Sequence, residues 1–580
     1  MIELMKRYLK PYRGKALAGI LTKMVEVVFE CLTPLVVARM IDDGVATGNT
    51  DEIVRLGLLL LVFAAVSYCF TLVCQKMAAL VSQAVGTDLR DALYAQVNRL
   101  SSAEVDRFGT PSLVTRVTND TNQVQVTLAL TIRQLTRWPL LAVGSVIACL
   151  LIDLRLGVIT LICTPLVGLV FYLVMSRVLP YYQSMQTKLD RISLVTREAL
   201  SGVRVIRAFR REDHEDARFN DAARDQADTA IASGKLSSFL SPATMVIMDM
   251  GIVAILWQGG IQVNLGNLTQ GETMAFINYM TTSLTSIGYL ANLLILMMRG
   301  QTSAKRILEV LDCEPSITDG SDESLALPAR GEKPALELER VAYRYEGSEV
   351  DALSDVTLTL PEGGTLGVIG GTGSGKSTLV DLLPRLMDAS EGSVRVLGHD
   401  VRSYPIAQLR HEVSIVPQHA SLTSGTIRSN LTWRKKDATD GELWEALECA
   451  QAADFVRQKP DGLDTLVEAD GKNFSGGQRQ RLTIARALVG SPRIVVLDDS
   501  ASALDFATDA RLRGALAGLS SKITTVIVSQ RVSAVMGADQ VLVLDHGRMA
   551  GLGPHRELLS TCQLYREICL SQLRKEEVER

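Results

Sequence analysis

Hydrophobic and polar positions divide the chain into two unlike halves. In the first, uncharged apolar windows recur at Leu56–Gln75, Gly157–Ser176, Met250–Gly271 and Thr273–Met298, each about 20 residues or more and so long enough to cross a bilayer as a helix. Two weaker windows, Ala16–Ile41 with Lys23, Glu26 and Glu30 inside it and Leu128–Ile152 entered past Arg133 and Arg137, bring the expected number of spans to six. Between the second and third spans, and again between the fourth and fifth, the helical period persists while the sequence turns amphipathic and charged, over Gly86–Gln123 and Val195–Lys235. Helices there are expected to protrude from the membrane. Each stretch carries a break suited to a tight turn, Phe108-Gly109-Thr110-Pro111 and Leu200-Ser201-Gly202-Val203.

In the second half the pattern changes. After a polar, acidic stretch at Asp319–Pro334, short buried-strand patterns alternate with helical ones from Ala335 onward, the signature of an α/β domain. The predicted organisation is an all-α membrane domain of six helices with long cytoplasmic extensions over 1–315, a linker over 316–334, and an α/β domain over 335–580.

Composition fits this division. At 580 residues, 47% hydrophobic and 21% charged, the chain is too long for one core and too apolar to be disordered. The net charge of -4 resolves into 30 Lys and Arg against 28 Asp and Glu over residues 1–320, and 30 against 36 over 321–580. Neither half has the basic excess that neutralises nucleic-acid phosphates, so nucleic acid is not an expected partner. The nine cysteines are scattered without a CxxC pair and read as reduced filler. Met1–Lys15 is basic but lacks the apolar run and small-residue cleavage pattern of a signal peptide; it reads as an interfacial helix. The connections Asp42–Glu52 and Gly259–Gly271 contain no Lys or Arg, which places them outside and both termini in the cytoplasm. Lys23, Glu26 and Glu30 are spaced to share one helical face, and Asp249 lies in the fifth span. Charges at that depth either line a path favouring cationic cargo or neutralise one another, as Lys23 and Glu26 can.

The strongest chemical signal is Gly370-Gly371-Thr372-Gly373-Ser374-Gly375-Lys376-Ser377, preceded by the strand-like Thr365–Ile369 and followed by the helical Thr378–Met387. The glycines let backbone N–H groups turn onto phosphates at a helix start, Lys376 is placed for the β- and γ-phosphates, and Ser377 offers a hydroxyl to Mg²⁺. Downstream, Arg493-Ile494-Val495-Val496-Leu497-Asp498 is a buried strand ending in a carboxylate, the second acidic element of such sites. ATP and Mg²⁺ are therefore the expected ligands.

Between these motifs lies Phe474-Ser475-Gly476-Gly477-Gln478-Arg479-Gln480-Arg481. This run resembles the signature motif of ABC ATPases, with Phe in the place of the usual Leu, and with six preceding spans the whole chain resembles an ABC half-transporter of the exporter type. The resemblance implies that Ser475, Gly476, Gly477 and Gln478 act on ATP held by a partner subunit. It further implies that Tyr345 stacks on adenine, that Gln418 in Val416-Pro417-Gln418 senses Mg²⁺ together with Ser377 and Asp498, and that Thr378 belongs to the nucleotide site. Ser502-Ala503-Leu504-Asp505 would cross the dimer seam, and the turns near 103–118 and 198–212 would be coupling helices. A bacterial plasma (inner) membrane is implied in the same way, surrounded by lipid and acting on a small-molecule cargo such as amphipathic drugs, lipids or peptides.

Two positions depart from that family. The residue after Asp498 is Asp499 where a general-base Glu is expected, which sets the carboxylate back by one methylene, about 1.5 Å. The switch position after the next strand is Gln530 in place of His, and a glutamine can hydrogen-bond but has no proton to titrate near neutral pH. Loss of a positioned base typically lowers a rate by about 10²–10⁴-fold. The expectation is a chain that binds ATP, hydrolyses it slowly, and completes the working site of a second half-transporter; an ATP-gated or regulatory membrane protein and a slow homodimeric exporter are the alternatives.

Overall fold

The computed structural model describes residues 1–320, 325–500, 504–518 and 523–573. The chain forms two compact units, one from Met1–Arg99 and Phe108–Cys313, the other from Leu100–Arg107 and Glu314–Arg580.

The first unit is helical. Its longest helix, Thr50–Arg99, has 50 residues, about 75 Å at 1.5 Å per residue, and so outruns a hydrocarbon core of about 30 Å by more than twofold. Leu154–Ser201 and Gln270–Leu311 are nearly as long. Among the described residues five helices are long and apolar enough to cross a membrane: Thr50–Arg99, Thr110–Ile152, Leu154–Ser201, Glu212–Asn264 and Gln270–Leu311. Arg13–Arg39 has the length but carries Lys23, Glu26 and Glu30 in its middle. The window Met250–Gly271 is not one span. The helix Leu240–Asn264 ends there, Gly266 turns the chain at φ +72°, and Thr269 caps the next helix in a reciprocal box with Glu272. Because that turn is built from uncharged residues, hydropathy alone runs straight through it.

The charges of the first span are paired. The Lys23 ammonium donates to both carboxylate oxygens of Glu26 at 2.7 Å, with both residues buried. Glu30 accepts from Arg137 at 2.6 Å, and Arg137 lies over the Trp138 ring, which stacks on Tyr289 at 4.2 Å. An acidic wall favouring cations is therefore not what these residues build, since Glu26 and Glu30 each spend their charge on a neighbour; Asp249 is exposed. The N-terminal helix Ile2–Tyr8 is held by protein: Leu4 is fully buried, Arg7 bonds Asp312 at 2.6 Å, and Tyr12 donates to Asp88. The first of the two breaks expected between spans falls at Gly109, with φ +75° between the short helices Ser102–Phe108 and Thr110–Thr115; the second falls at Gly202, before Val203–Ala208.

The second unit is built on a mixed sheet. Five parallel strands lie in the order Val413–Val416, Ile494–Asp498, Thr524–Val528, Thr365–Gly370 and Gln540–Asp545, continued by antiparallel strands that include Leu336–Tyr343 and Leu353–Leu360. The central strands are buried on both faces and read as unbroken apolar runs. Two of the apolar cores that pack on them are built around helices. One surrounds the helix Lys376–Leu382; the other holds the helices Asp440–Cys449, Ala453–Arg457 and Gly476–Leu488.

The predicted linker is strapped down. Arg385 donates to the Thr318 carbonyl, the Ile406 N–H bonds Asp319, Gln408 bonds the Leu325 backbone twice, and Arg493 donates to the Pro328 carbonyl. Its strongest point is the buried pair Glu362–Arg493, two parallel bonds of 2.8 Å with Gly331 N–H as a third donor at 2.7 Å. Burial raises the Glu362 carboxyl's proton affinity, but the bonds from Arg493 and Gly331 outweigh it, and the net shift is downward. Stability from this group is present above the ordinary carboxylate range and is lost as pH falls through its lowered value. Arg493→Met should destabilise the unit by about 3 kcal/mol through the stranded Glu362, while Arg493→Met with Glu362→Leu should recover most of that; melting temperatures of the full-length variants in detergent measure both.

Candidate functional site

The site grows from the ends of three parallel strands. Thr524–Val528 is the middle one: Asp498, at the end of Ile494–Asp498, pairs in register with Val528 from one side, and Val368 pairs with Val528 from the other. The chain then crosses over: Asp499 N–H donates to the Val528 carbonyl and Ser529 N–H to the Val368 carbonyl. Parallel strands thus deliver the phosphate loop, the acidic pair and the Ser529–Gln530 loop to one edge, the position where ligands bind in open α/β sheets.

At Gly370–Ser377 the backbone needs its glycines. Gly373 and Gly375 have φ of +76° and +94°, and a Cβ at Gly370 would lie 2.2 Å from the Leu544 carbonyl oxygen. Nothing lies within 4 Å of a Cβ built at Gly371 or Gly373, so the face of the loop is open. Lys376 folds over it, donating to the Gly370 carbonyl at 3.0 Å and the Gly371 carbonyl at 2.6 Å. These are bonds that phosphate oxygens can replace. Burial lowers the proton affinity of Lys376, and Asp499 and Asp498 act to raise it. Ser374 and Thr378 are buried, and the Thr378 hydroxyl meets the Tyr345 hydroxyl at 3.0 Å. Tyr345 is half exposed and packs edge-on to Tyr343, beside the loop as expected.

The acidic side is crowded. Burial raises the proton affinity of the Asp498 and Asp499 carboxylates, and for Asp499 the neighbouring Asp498 adds to it. The Ser377 hydroxyl acts to lower the proton affinity of the Asp498 carboxylate, and the Gln418 amide that of Asp499. A third carboxylate, Asp381, joins them from the helix Lys376–Leu382, pushed up to about 6 by burial and by Asp498. Sequence reading missed it, although its place four residues after Ser377 puts it one helical turn along the same face. Ser377, Gln418 and Asp498 form the hard oxygen set that suits Mg²⁺, which uses few carboxylates and takes phosphate oxygens as further ligands. The residues fit that ion, since three carboxylates around one ammonium leave negative charge for it to balance.

Other expected residues lie apart. Ser475 caps the 13-residue helix Gly476–Leu488 in a reciprocal box with Gln478, with Ser475 and Gly476 exposed and Phe474 buried in the second core. Among the described residues no hydrogen bond joins Ser475, Gly476, Gly477 or Gln478 to the phosphate loop. Asp505 caps the helix Phe506–Gly518, accepting from the Thr508 N–H and hydroxyl at 2.9 Å. Ser502 and Ala503 lie outside the described residues. Gln530 is exposed.

Comparison with known proteins agrees with this geometry. The model of the ABC transporter transmembrane region matches residues 16–287, and that of the ABC transporter ATPase matches 353–502. An uncharacterized ABC transporter ATP-binding protein of Mycobacterium tuberculosis is 36% identical over 575 residues, covering 99% of this chain and 98% of its own. The chain belongs to the ABC transporter family. An ATP-dependent lipid A-core flippase of Syntrophus aciditrophicus is 30% identical over 502 residues, 87% of this chain and 83% of its own. A bacterial Atm1-family ABC exporter solved with ATP bound superposes with a TM-score of 0.78 at 23% identity, over 96% of this chain and 99% of that one. The protein is thus an ABC half-transporter, a multi-pass membrane domain fused to an ABC ATPase domain, with the exporter fold.

Because the Asp381 carboxyl is raised to about 6, the folded state binds its proton more tightly than the unfolded chain. Its contribution favours folding below the ordinary carboxylate range and is lost as pH rises through about 6. Asp381→Asn should therefore raise the melting temperature of the nucleotide-free protein most at pH 7.5, less at pH 5, and little below the ordinary carboxylate range, read by parallel thermal melts.

Proposed function

We propose that this chain is one half of a heterodimeric ATP-driven exporter, whose own phosphate loop holds ATP with slow hydrolysis while its signature helix completes the working site of a partner half-transporter. The observation that carries this reading is the pair Asp499 and Gln530 in a site otherwise furnished for ATP. Asp499 reaches less far than Glu, and its backbone is left-handed at φ +43°, a conformation Asp adopts more readily than most side chains. Gln530 has no titratable proton to exchange.

On this reading Lys376 and the loop amides from Gly370 to Thr378 grip the phosphates, Tyr345 faces adenine, and Ser377, Gln418 and Asp498 hold Mg²⁺, whose charge would offset that of the β- and γ-phosphate oxygens. The exposure of Ser475 and Gly476 at a helix start supports a role toward ATP on another subunit, with Asp505 at the seam. ATP shifts the closed state only by binding it better than the open one, so a slowly hydrolysed nucleotide keeps the paired domains engaged between cycles. The apolar spans favour amphipathic cargo, and the flippase relative supports lipids among drugs, lipids and peptides. The loop charges support cytoplasmic termini, and the resemblance to bacterial exporters supports a plasma (inner) membrane.

One observation favours a second reading. The raised proton affinity of Asp499 makes it a better base than an ordinary aspartate, as a slow homodimeric exporter would need. The ATPase rate of the purified chain decides between them. Under the heterodimer reading the wild type alone is very slow, and Asp499→Glu with Gln530→His raises the rate by about 10²-fold or more; steady wild-type turnover that the pair leaves unchanged establishes a homodimer working with Asp499 as its base.

A further inference from the structure

Gln530 lies on the loop between the strand Thr524–Val528 and the short helix Val532–Val535. One side chain from the far end of the unit grips that loop on both sides. The Gln572 amide nitrogen donates to the Gln530 carbonyl at 2.8 Å, and its amide oxygen accepts the Val532 N–H at 2.9 Å. A primary amide can do this because it carries a donor and an acceptor on one planar group. A carboxylate offers only the acceptor, and an alkyl chain offers neither.

The helix that carries Gln572, Gln563–Gln572, is itself anchored. Tyr565 and Cys569 are fully buried in one apolar cluster with Val532, Val535 and Ile369, and the Tyr565 hydroxyl bonds His555 at 2.7 Å. Ile369 is the residue before Gly370, so the cluster that seats Gln572 also seats the strand leading into the phosphate loop. Upstream of the gripped loop, Ser529 N–H is fixed to Val368 on that same strand. The loop bearing Gln530 is thus tied to the phosphate-loop strand at its start and, through Gln572, at its end.

We propose that Gln572 is a positioning residue for the nucleotide site: its two-ended clamp holds Gln530 where the γ-phosphate is sensed, and so sets how well this site tells ATP from ADP. The inference rests on the reading of Gln530 as the residue that faces the γ-phosphate, and it holds whether hydrolysis at the site is fast or slow.

Equilibrium binding of ATP and of ADP, each with Mg²⁺, to the full-length protein in detergent tests it on the wild type, Gln572→Ala, Gln530→Ala and the double variant. Two hydrogen bonds of ordinary strength predict that Gln572→Ala lowers the ratio of ATP to ADP affinity by about threefold to tenfold, with ADP affinity and melting temperature nearly unchanged. Gln530→Ala should lower the ratio similarly, and the double variant no further. Gln572→Glu, which keeps the acceptor for Val532 N–H and loses the donor, should fall between wild type and Gln572→Ala. A loss of ATP and ADP affinity together, or additive effects of the two alanines, overturns the clamp. If Gln530→Ala lowers the ratio and Gln572→Ala does not, the clamp alone fails; if Gln530→Ala leaves the ratio unchanged, the reading of Gln530 fails and the clamp with it.

Discussion

Three carboxylates and one ammonium at the end of a buried strand set the terms for the rest of the ATPase unit. Asp498 and Asp499 leave the strand Ile494–Asp498, Asp381 reaches in from the helix after the phosphate loop, and Lys376 is the cation whose charge acts on the acidic pair. Burial raises the proton affinity of all three, and Asp498 adds to it at Asp499 and Asp381. Such an arrangement is unfavourable by itself and favourable with a divalent cation and phosphates present, so the fold stores in advance the electrostatic demand that its ligand meets. Everything around the cluster serves to hold it: strand register fixes Asp498, glycines make the loop, and the switch-side loop is tied to the phosphate-loop strand.

The site's skeleton was readable in the chain because its parts are local. A phosphate loop needs glycines at particular offsets, a buried acidic strand needs an apolar run ending in Asp, and both survive as contiguous words. Ser475 and Gln478 could be seen together for the same reason, since a capping box spans four residues. Asp381 and Gln572 could not. Asp381 matters only because the fold sets it against Asp498, and Gln572 is a lone glutamine 42 positions from the carbonyl it binds. No motif marks either one, and the four-residue spacing that puts Asp381 on a face with Ser377 does not by itself say that it meets Asp498.

Membrane spans show the same division. Hydropathy found where apolar helices run, but it carried one window through the turn at Gly266, where uncharged residues reverse the chain. It also placed Glu30 on a face with Lys23 and Glu26, whereas its partner Arg137 comes from another helix. Pairings within a turn are legible in sequence; pairings across the bundle are products of packing.

Those two kinds of pairing give the first helix an assembly history. Lys23 and Glu26 neutralise each other within one turn, so that pair can enter lipid as soon as the helix forms. Glu30 must wait for Arg137, 107 residues later in the chain, an interval of roughly 5–20 s at ordinary rates of synthesis. During that interval the helix carries one uncompensated carboxylate, which favours holding it at a protein or aqueous boundary until the third span arrives. The charge balance of the first helix thus depends on a residue that lies 107 positions further along the chain.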